Sequence, residues 1–401
     1  MSHPAPWHTI GRHGLLPVAN HDEVVRFDVV AQLNAHVSQR LAPKVREAYE
    51  SHALNVWRMR HGREPADRHE VAEAMQREPA YRTFSLVRRH TMEIRQQAGR
   101  SLVSRQVDRL RDAARATNSG ASTLRLDPAL QLPRYVTAVD THLMQGGYTA
   151  ERVADDVGNA ANYDAGMYAT IGGSGGPWND AAGRALVEWL RREHPGFSPR
   201  RIVDLGCGLG HNTLPLRDAF PAAEIIAVDV AAPMLRYGHA RAQSRGYTDV
   251  QFLQADATAT PLEESAADLV FTTMVLHETS RQALPSIFAE AHQLLRAGGL
   301  TIHLEQPPYR GIPAFEQFMR DWDGRFNNEP FWSALHETDL AALLAKSGFG
   351  SANVFETRCV APSARQDGAP QQAHKHEDFG RAPAWYAVGA WQAAKGIAAI
   401  G

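Results

Sequence analysis

His277 and Glu278 have the side chains best suited to moving a proton, and they follow the apolar run 268–274 directly. A neutral imidazole accepts a proton near pH 7. Upstream, Arg201-Ile-Val-Asp-Leu-Gly-Cys-Gly-Leu-Gly210 ends a short apolar strand at Asp204 and turns at once through glycines 206, 208 and 210. Glycine reaches backbone angles closed to other residues and lets a ligand approach the main chain. An acid at the head of such a turn suits a cationic or hydroxyl-bearing ligand better than a pyrophosphate. A second strand, 225–228, runs into Asp229, placed to accept hydrogen bonds from a ribose diol. The spacing Gly-x-Gly-x-Gly differs from the dinucleotide fingerprint Gly-x-Gly-x-x-Gly. A dehydrogenase would also leave Asp256 and Asp268-Leu-Val unexplained.

These residues need a sheet to hold them. Further strands are expected at 250–253, 268–274 and 300–304, with helical sequence at 284–295 and Gly298-Gly299 before the last. Strands alternating with helices give a parallel α/β sheet, with ligands at the carboxyl edge of the strands. His277 lies at that edge, where it fits either a general base or a wall of the pocket. Glu278 either orients it or faces solvent, and Glu305-Gln306 could line an acceptor site.

The stretch from about 200 to 306 resembles the core of the class I S-adenosylmethionine-dependent methyltransferases. The resemblance rests on Asp-Leu-Gly-Cys-Gly-Leu-Gly at 204–210, Asp229, Ala-Asp-Ala at 255–257, Asp268-Leu-Val and Gly298-Gly299. It implies an α/β fold with a Rossmann-like sheet of seven strands and helices on both faces. It also implies S-adenosylmethionine as cofactor. Gly206, Gly208 and Gly210 would pack on its methionine part and Asp204 would orient its ammonium group. Asp229, with neighbouring Val230, would take the ribose, Asp256 the adenine amino group and the Ala257 amide a ring nitrogen. Met274 would meet the amino-acid end or the methyl. Tyr163, in the segment 151–180 before the first strand, joins the expected cofactor residues. The glycine-rich run 171–177 there acts either as a flap over the cofactor or as a hinge.

At 401 residues and 44% hydrophobic, the chain is long enough for two domains. The expected division is 1–145, an all-helical front domain that closes the pocket and dimerises, and 146–401, the methyltransferase domain. Helices are expected from 22 to a stop at Pro43, from 45 to Gly62, after Glu64-Pro65, from Pro79 to about 117, and over 134–144. After strand five, 307–345 carries Tyr309, Phe315, Phe318, Met319, Trp322, Phe326, Phe331 and Trp332, expected as a helical lid insertion. Strands six and seven are placed at 352–355 and 385–391, with an exposed loop between.

A net charge of −2 argues against a nucleic-acid enzyme, and the arginines of 88–115 are expected on a solvated helix face. No apolar run approaches the ~20 residues of a membrane span, and two cysteines make no disulfide framework. A cytoplasmic homodimer acting on a small molecule is expected. Gln306-Pro-Pro-Tyr resembles the motif of base-methylating enzymes but follows the wrong strand. His374-Lys-His-Glu-Asp378 has the spacing of a solvated loop, and Met274 stands where metal-dependent relatives carry an acid, so no metal is expected. The favoured reaction is O-methylation of a hydroxyl or carboxylate. N- or C-methylation and a non-catalytic cofactor-binding scaffold are the alternatives.

Overall fold

The computed structural model describes residues 4–361 and 384–393. The stretch around His374–Asp378, and most of the loop expected before the last strand, lie outside them. Eight strands form one sheet: β1 (Leu124–Arg125), β2 (Arg201–Leu205), β3 (Glu224–Asp229), β4 (Gln251–Gln254), β5 (Ala267–Thr273), β6 (Leu295–Glu305), β7 (Val354–Val360) and β8 (Ala384–Trp391). Their order is β1-β4-β3-β2-β5-β6-β8-β7. All neighbours are parallel except β8, which runs antiparallel to both β6 and β7.

The alternation of a strand explains the two-faced core. Leu269 and Phe271 of β5 face one side with Leu186 and Leu190 of the helix Ala181–Glu193. Val270, between them, faces the other with Ile287 and Phe288 of the helix Ala283–Leu294. With helices on both faces, the strands read as continuous apolar runs, and every residue of β5 is buried.

The seven expected strands are present, and an eighth is added from an unexpected place. Leu124 and Arg125 pair in parallel with Phe252 and Leu253 of β4, so the front region is not purely helical. Two residues carry too little periodicity to mark a strand; the exposed edge of β4 recruits them. Pro43 does not end the first helix either. Helical turns run from His21 to His61, with wide π-type turns at Val37–Leu41 and Tyr49–Ala53. Pro43 falls in the first turn after the first of these, where its missing N–H costs least. The helix expected from Pro79 breaks into Pro79–Ser104 and Val107–Asn118. The one expected over 134–144 shrinks to Arg134–Thr137 and a single turn at Thr141–Leu143.

Residues 4–20 form a strap across the methyltransferase core. Trp7 stacks on Phe27 with ring centres 5.0 Å apart, and its indole N–H donates to Ala165 O at 2.9 Å. The amides of Ala5 and Gly11 donate to Gly172 O and Pro177 O, which ties the strap to the glycine-rich run 171–177. Farther along, Leu15 packs with Val103, Leu110, Leu209 and Tyr237.

Candidate active site

A cavity of about 790 Å³ opens over the carboxyl ends of β2, β3 and β5. Its floor is the glycine loop. Gly206, Gly208 and Gly210 have φ of 81°, 54° and 71°, a region that favours glycine. The Gly206 and Cys207 amides donate to Val228 O at 2.8 and 2.9 Å. The Asp229 carboxylate accepts the Gly208 amide on Oδ2 and the Ala231 amide on Oδ1, each at 2.8 Å. Each oxygen keeps a lone-pair site for another donor, which fits a diol. Above Gly208 there is open space, since a Cβ there would meet nothing within 4 Å. Asp256 uses Oδ1 for the amide and hydroxyl of Thr258, both at 2.8 Å. These acceptors and openings fit the nucleoside of S-adenosylmethionine.

Of the residues expected from sequence, Tyr163, Gly206, Gly208, Asp229, Val230, Asp256, Ala257, Met274, His277 and Glu278 line this one cavity. Asp204 and Gly210 lie beneath it. Asp204 is fully buried, accepts the Thr213 hydroxyl at 2.5 Å and leaves Oδ1 without a partner. Burial pushes its carboxyl up to about 7, against the Thr213 bond. Gly210 packs on the Phe252 ring, where a Cβ would come within 3.2 Å. Ile171, Ser174 and Gly175 of the glycine-rich run reach the cavity as well.

The end of the cavity around His277 gathers side chains from distant segments. His277 is 3% exposed. Its Nδ1 pairs with Glu305 Oε1 at 2.8 Å, and its Nε2 lies 3.8 Å from Glu278 and 3.7 Å from Glu329. Glu305, not Glu278, therefore orients the ring, and it does so from a buried position at the end of β6. Glu278 instead accepts the Tyr148 hydroxyl at 2.9 Å and pairs with His142 Nε2 at 3.0 Å. His142 also meets Glu329 at 3.1 Å, and Asn327 donates to the same Glu329 oxygen at 2.6 Å. Glu329 Oε2 is buried with no hydrogen-bond partner.

Burial alone would lower both imidazoles. The carboxylates around them outweigh it, lifting His277 to about 9 through Glu305, Glu329 and Glu278, and His142 to about 10 through Glu329 and Glu278. Met274, the residue after β5, holds φ of 55° while its amide donates to Leu304 O at 2.9 Å. Such a conformation stores of order 1–3 kcal/mol, and strain of this kind clusters at working sites.

Sequence reasoning missed Arg88, Arg95, His142, Tyr148, Asp323 and Glu329, all of which line the cavity. A signal was present for two of them. Arg88, Met92 and Arg95 recur at one-turn intervals on a single face of the helix Pro79–Ser104, and both arginines are buried rather than solvated. The aromatic residues of the insertion mostly pack instead of lining the cavity. Of its eight named residues only Trp332 lines the cavity. Phe315, Phe318, Met319 and Trp322 pack instead with Val45, Tyr81 and Phe84 of the front helices. The insertion's cavity wall is polar, made by Asp323, Asn327 and Glu329.

A mixed sheet in this order, with Asp229 and a glycine loop under one cavity, fits a nucleoside-cofactor fold of the methyltransferase type. A family model described as "Methyltransferase domain" matches residues 202–299. The demethylmenaquinone methyltransferase of Thermus thermophilus is 36% identical over 111 residues, 28% of this chain and 49% of its own. The malonyl-[acyl-carrier protein] O-methyltransferase of Xylella fastidiosa is 34% identical over 26% of this chain and 34% of its own. The chain thus spans half or less of these curated relatives. An uncharacterized methyltransferase of Synechocystis is 31% identical over 174 residues, 42% of this chain and 76% of its own. A solved geranyl diphosphate methyltransferase with S-adenosylmethionine superposes with a TM-score of 0.39 at 16% identity, over 62% of this chain and 95% of its own.

The chain belongs to the class I S-adenosylmethionine-dependent methyltransferases. The family it belongs to is one of enzymes that use S-adenosylmethionine. Among the described residues no helix is long and apolar enough to cross a membrane, and no group of three His, Cys, Asp or Glu is placed to hold a metal ion.

Proposed function

We propose that this protein methylates a hydroxyl oxygen of a small acceptor, with His277 taking the hydroxyl proton. The observation that carries this reading is the His277–Glu305 pair. Glu305 holds the proton on Nδ1, so once the ring is neutral the Nε2 lone pair is the free acceptor on the side of Glu278 and Glu329. A carboxylate acceptor is already ionised and needs no such base. Bound S-adenosylmethionine supplies an activated methyl group. The chain aligns the acceptor, excludes water and removes the proton.

In this reading Asp229, Asp256, Val230, Ala257 and the glycine loop hold the nucleoside, and Tyr163 and Met274 flank the amino-acid end. Residues 1–145 and the insertion at about 307–345 close the acceptor side, supported by Arg88, Arg95, Tyr135 and His142 from the former and Asp323, Glu329 and Trp332 from the latter. The exposed side chains Val25, Val29, Leu86 and Ile94 on the front helices support a homodimer, which light scattering tests. The unpaired, buried Cys207 and Cys359 suit a reducing, cytoplasmic setting.

The test is to incubate the protein with S-adenosylmethionine labelled in its methyl group and a metabolite extract, then locate the label. One labelled product with the methyl on a former hydroxyl oxygen is expected. Label on nitrogen or carbon, or no release of S-adenosylhomocysteine, would refute the proposal.

A further inference from the structure

Arg95 differs from the other arginines buried in this chain. Arg88 places Nη2 2.7 Å from Asp323 and Arg241 lies 3.5 Å from Asp164. Arg95 is 3% exposed and has no ion pair or hydrogen bond among the described residues. A guanidinium carries five donors, and burying it unpaired is costly unless a partner arrives.

The surroundings hold that charge against the cavity. Arg95 lines it, together with the apolar Val37, Met92, Met167 and Ile171. Across from it is Gly166 of the helix Gly158–Thr170, where an added Cβ would stand 2.5 Å from Arg95 Nε and 2.9 Å from Nη2. The glycine therefore makes room for the guanidinium. Burial pulls the arginine down to about 10, opposed only by the electrostatic effect of the Tyr163 and Tyr148 phenols. The three glutamates around His277 pair with histidines instead.

We infer that Arg95 is the carboxylate-binding residue of this cavity, completing its hydrogen bonds with a planar monoanion carried by a ligand. Its planar fork matches a carboxylate bidentately. One unpaired cation in an apolar setting suits a single negative charge, where a phosphate dianion would call for more. Two ligands could bring that carboxylate: the amino-acid end of the cofactor, or an acid group on the methyl acceptor remote from the reacting oxygen. The inference rests on the reading of this cavity as the methyl-transfer site.

Calorimetric titration of the full chain and of Arg95→Met separates the sources. The first probes are S-adenosylhomocysteine and 5′-methylthioadenosine, which lacks the amino-acid end. The second set is hexanoate, decanoate and 3-phenylpropanoate with their neutral amides, on protein saturated with S-adenosylhomocysteine. If the cofactor supplies the anion, Arg95→Met weakens S-adenosylhomocysteine tenfold or more and leaves 5′-methylthioadenosine unchanged. If the acceptor supplies it, the wild type binds an acid at least tenfold tighter than its amide, and Arg95→Met abolishes the difference. Gly166→Ala, which keeps the charge but displaces the guanidinium, should reproduce whichever loss is seen, and Arg95→Lys should restore part of it. A folded Arg95→Met protein that binds S-adenosylhomocysteine like the wild type, with acid and amide bound alike by both proteins, overturns the inference. Binding of 5′-methylthioadenosine by the wild type reports the cofactor site independently, so the two readings can fail separately.

Discussion

Replacing Glu305 with Gln should move the ionisation of His277, and the size of the movement follows from the site. The imidazole is lifted from the ordinary 6.5 to about 9 against the opposing effect of burial, with Glu305 as the nearest counter-charge. At about 1.36 kcal/mol per unit, that is roughly 3 kcal/mol of preference for the protonated ring. If His277 is the base, wild-type kcat/KM climbs about tenfold per pH unit from 7 and levels near 9, since about one molecule in a hundred holds a neutral ring at pH 7. In Glu305→Gln the amide oxygen still accepts the Nδ1 proton but brings no charge, so the inflection falls below that of the wild type, with only Glu329 and Glu278 left to oppose burial.

The same shift is visible without any acceptor. The folded pKa of His277 lies above the unfolded one, so its stabilisation is fully present below about 6.5 and is lost as pH rises through about 9. Denaturant titrations at pH 6 and pH 9.5 should therefore show the advantage of wild type over Glu305→Gln shrinking, by at most about 3 kcal/mol. His142, raised to about 10, loses its own contribution over a neighbouring window but does so in both proteins. An advantage that stays constant across that range would refute the electrostatic account. A flat wild-type pH–rate profile between 6 and 9 would refute the base role and return the carboxylate acceptor to favour.

Other perturbations read other parts of the site. His277→Ala should slow the chemical step about 10²–10⁴-fold with cofactor affinity little changed; equal rates would leave the ring as packing. Asp229→Ala should raise the dissociation constant of S-adenosylhomocysteine at least about tenfold, because it removes the diol acceptor and frees the Gly208 and Ala231 amides it now holds; an unchanged constant would displace the ribose site. Gly206→Ala forces a side chain into a φ of 81° and within 2.6 Å of Val275, so thermal unfolding should show about 1–3 kcal/mol lost; wild-type stability would mean the loop adapts. Asp164→Ala should cost about 3–5 kcal/mol, since it strips partners from His13, His211, Tyr237 and the buried Arg241 at once; a small loss would show that the strap contributes little.

The parts of this protein legible in its sequence are those written locally. Strands β2 to β6 announce themselves as short apolar runs with turn residues behind them. The glycine loop and Asp229 are adjacent to the strands that carry them, so placing the strands places the residues. His277 was legible for the same reason: four residues past β5 there is no choice but the carboxyl edge of the sheet. The same local signals misled where context overruled them. Pro43 reads as a helix stop, yet a π-type turn puts it at the start of the next helical segment. The aromatic run of 307–345 reads as a pocket lining, yet most of it anchors the insertion to the front helices.

The sequence by itself determined the core strands, the glycine loop and the position of His277 at the carboxyl edge of the sheet, because strand periodicity and neighbouring turns carry that information over a few residues. Tertiary structure alone decided what surrounds the ring of His277 and what Arg95 lacks. Glu305 comes from the next strand, His142 from a single turn in the front region, Glu329 from the insertion and Arg95 from the long helix. Their ionisation depends on burial and on charges a few ångströms away in space, distances fixed by how the strap, the front helices and the insertion pack over the sheet.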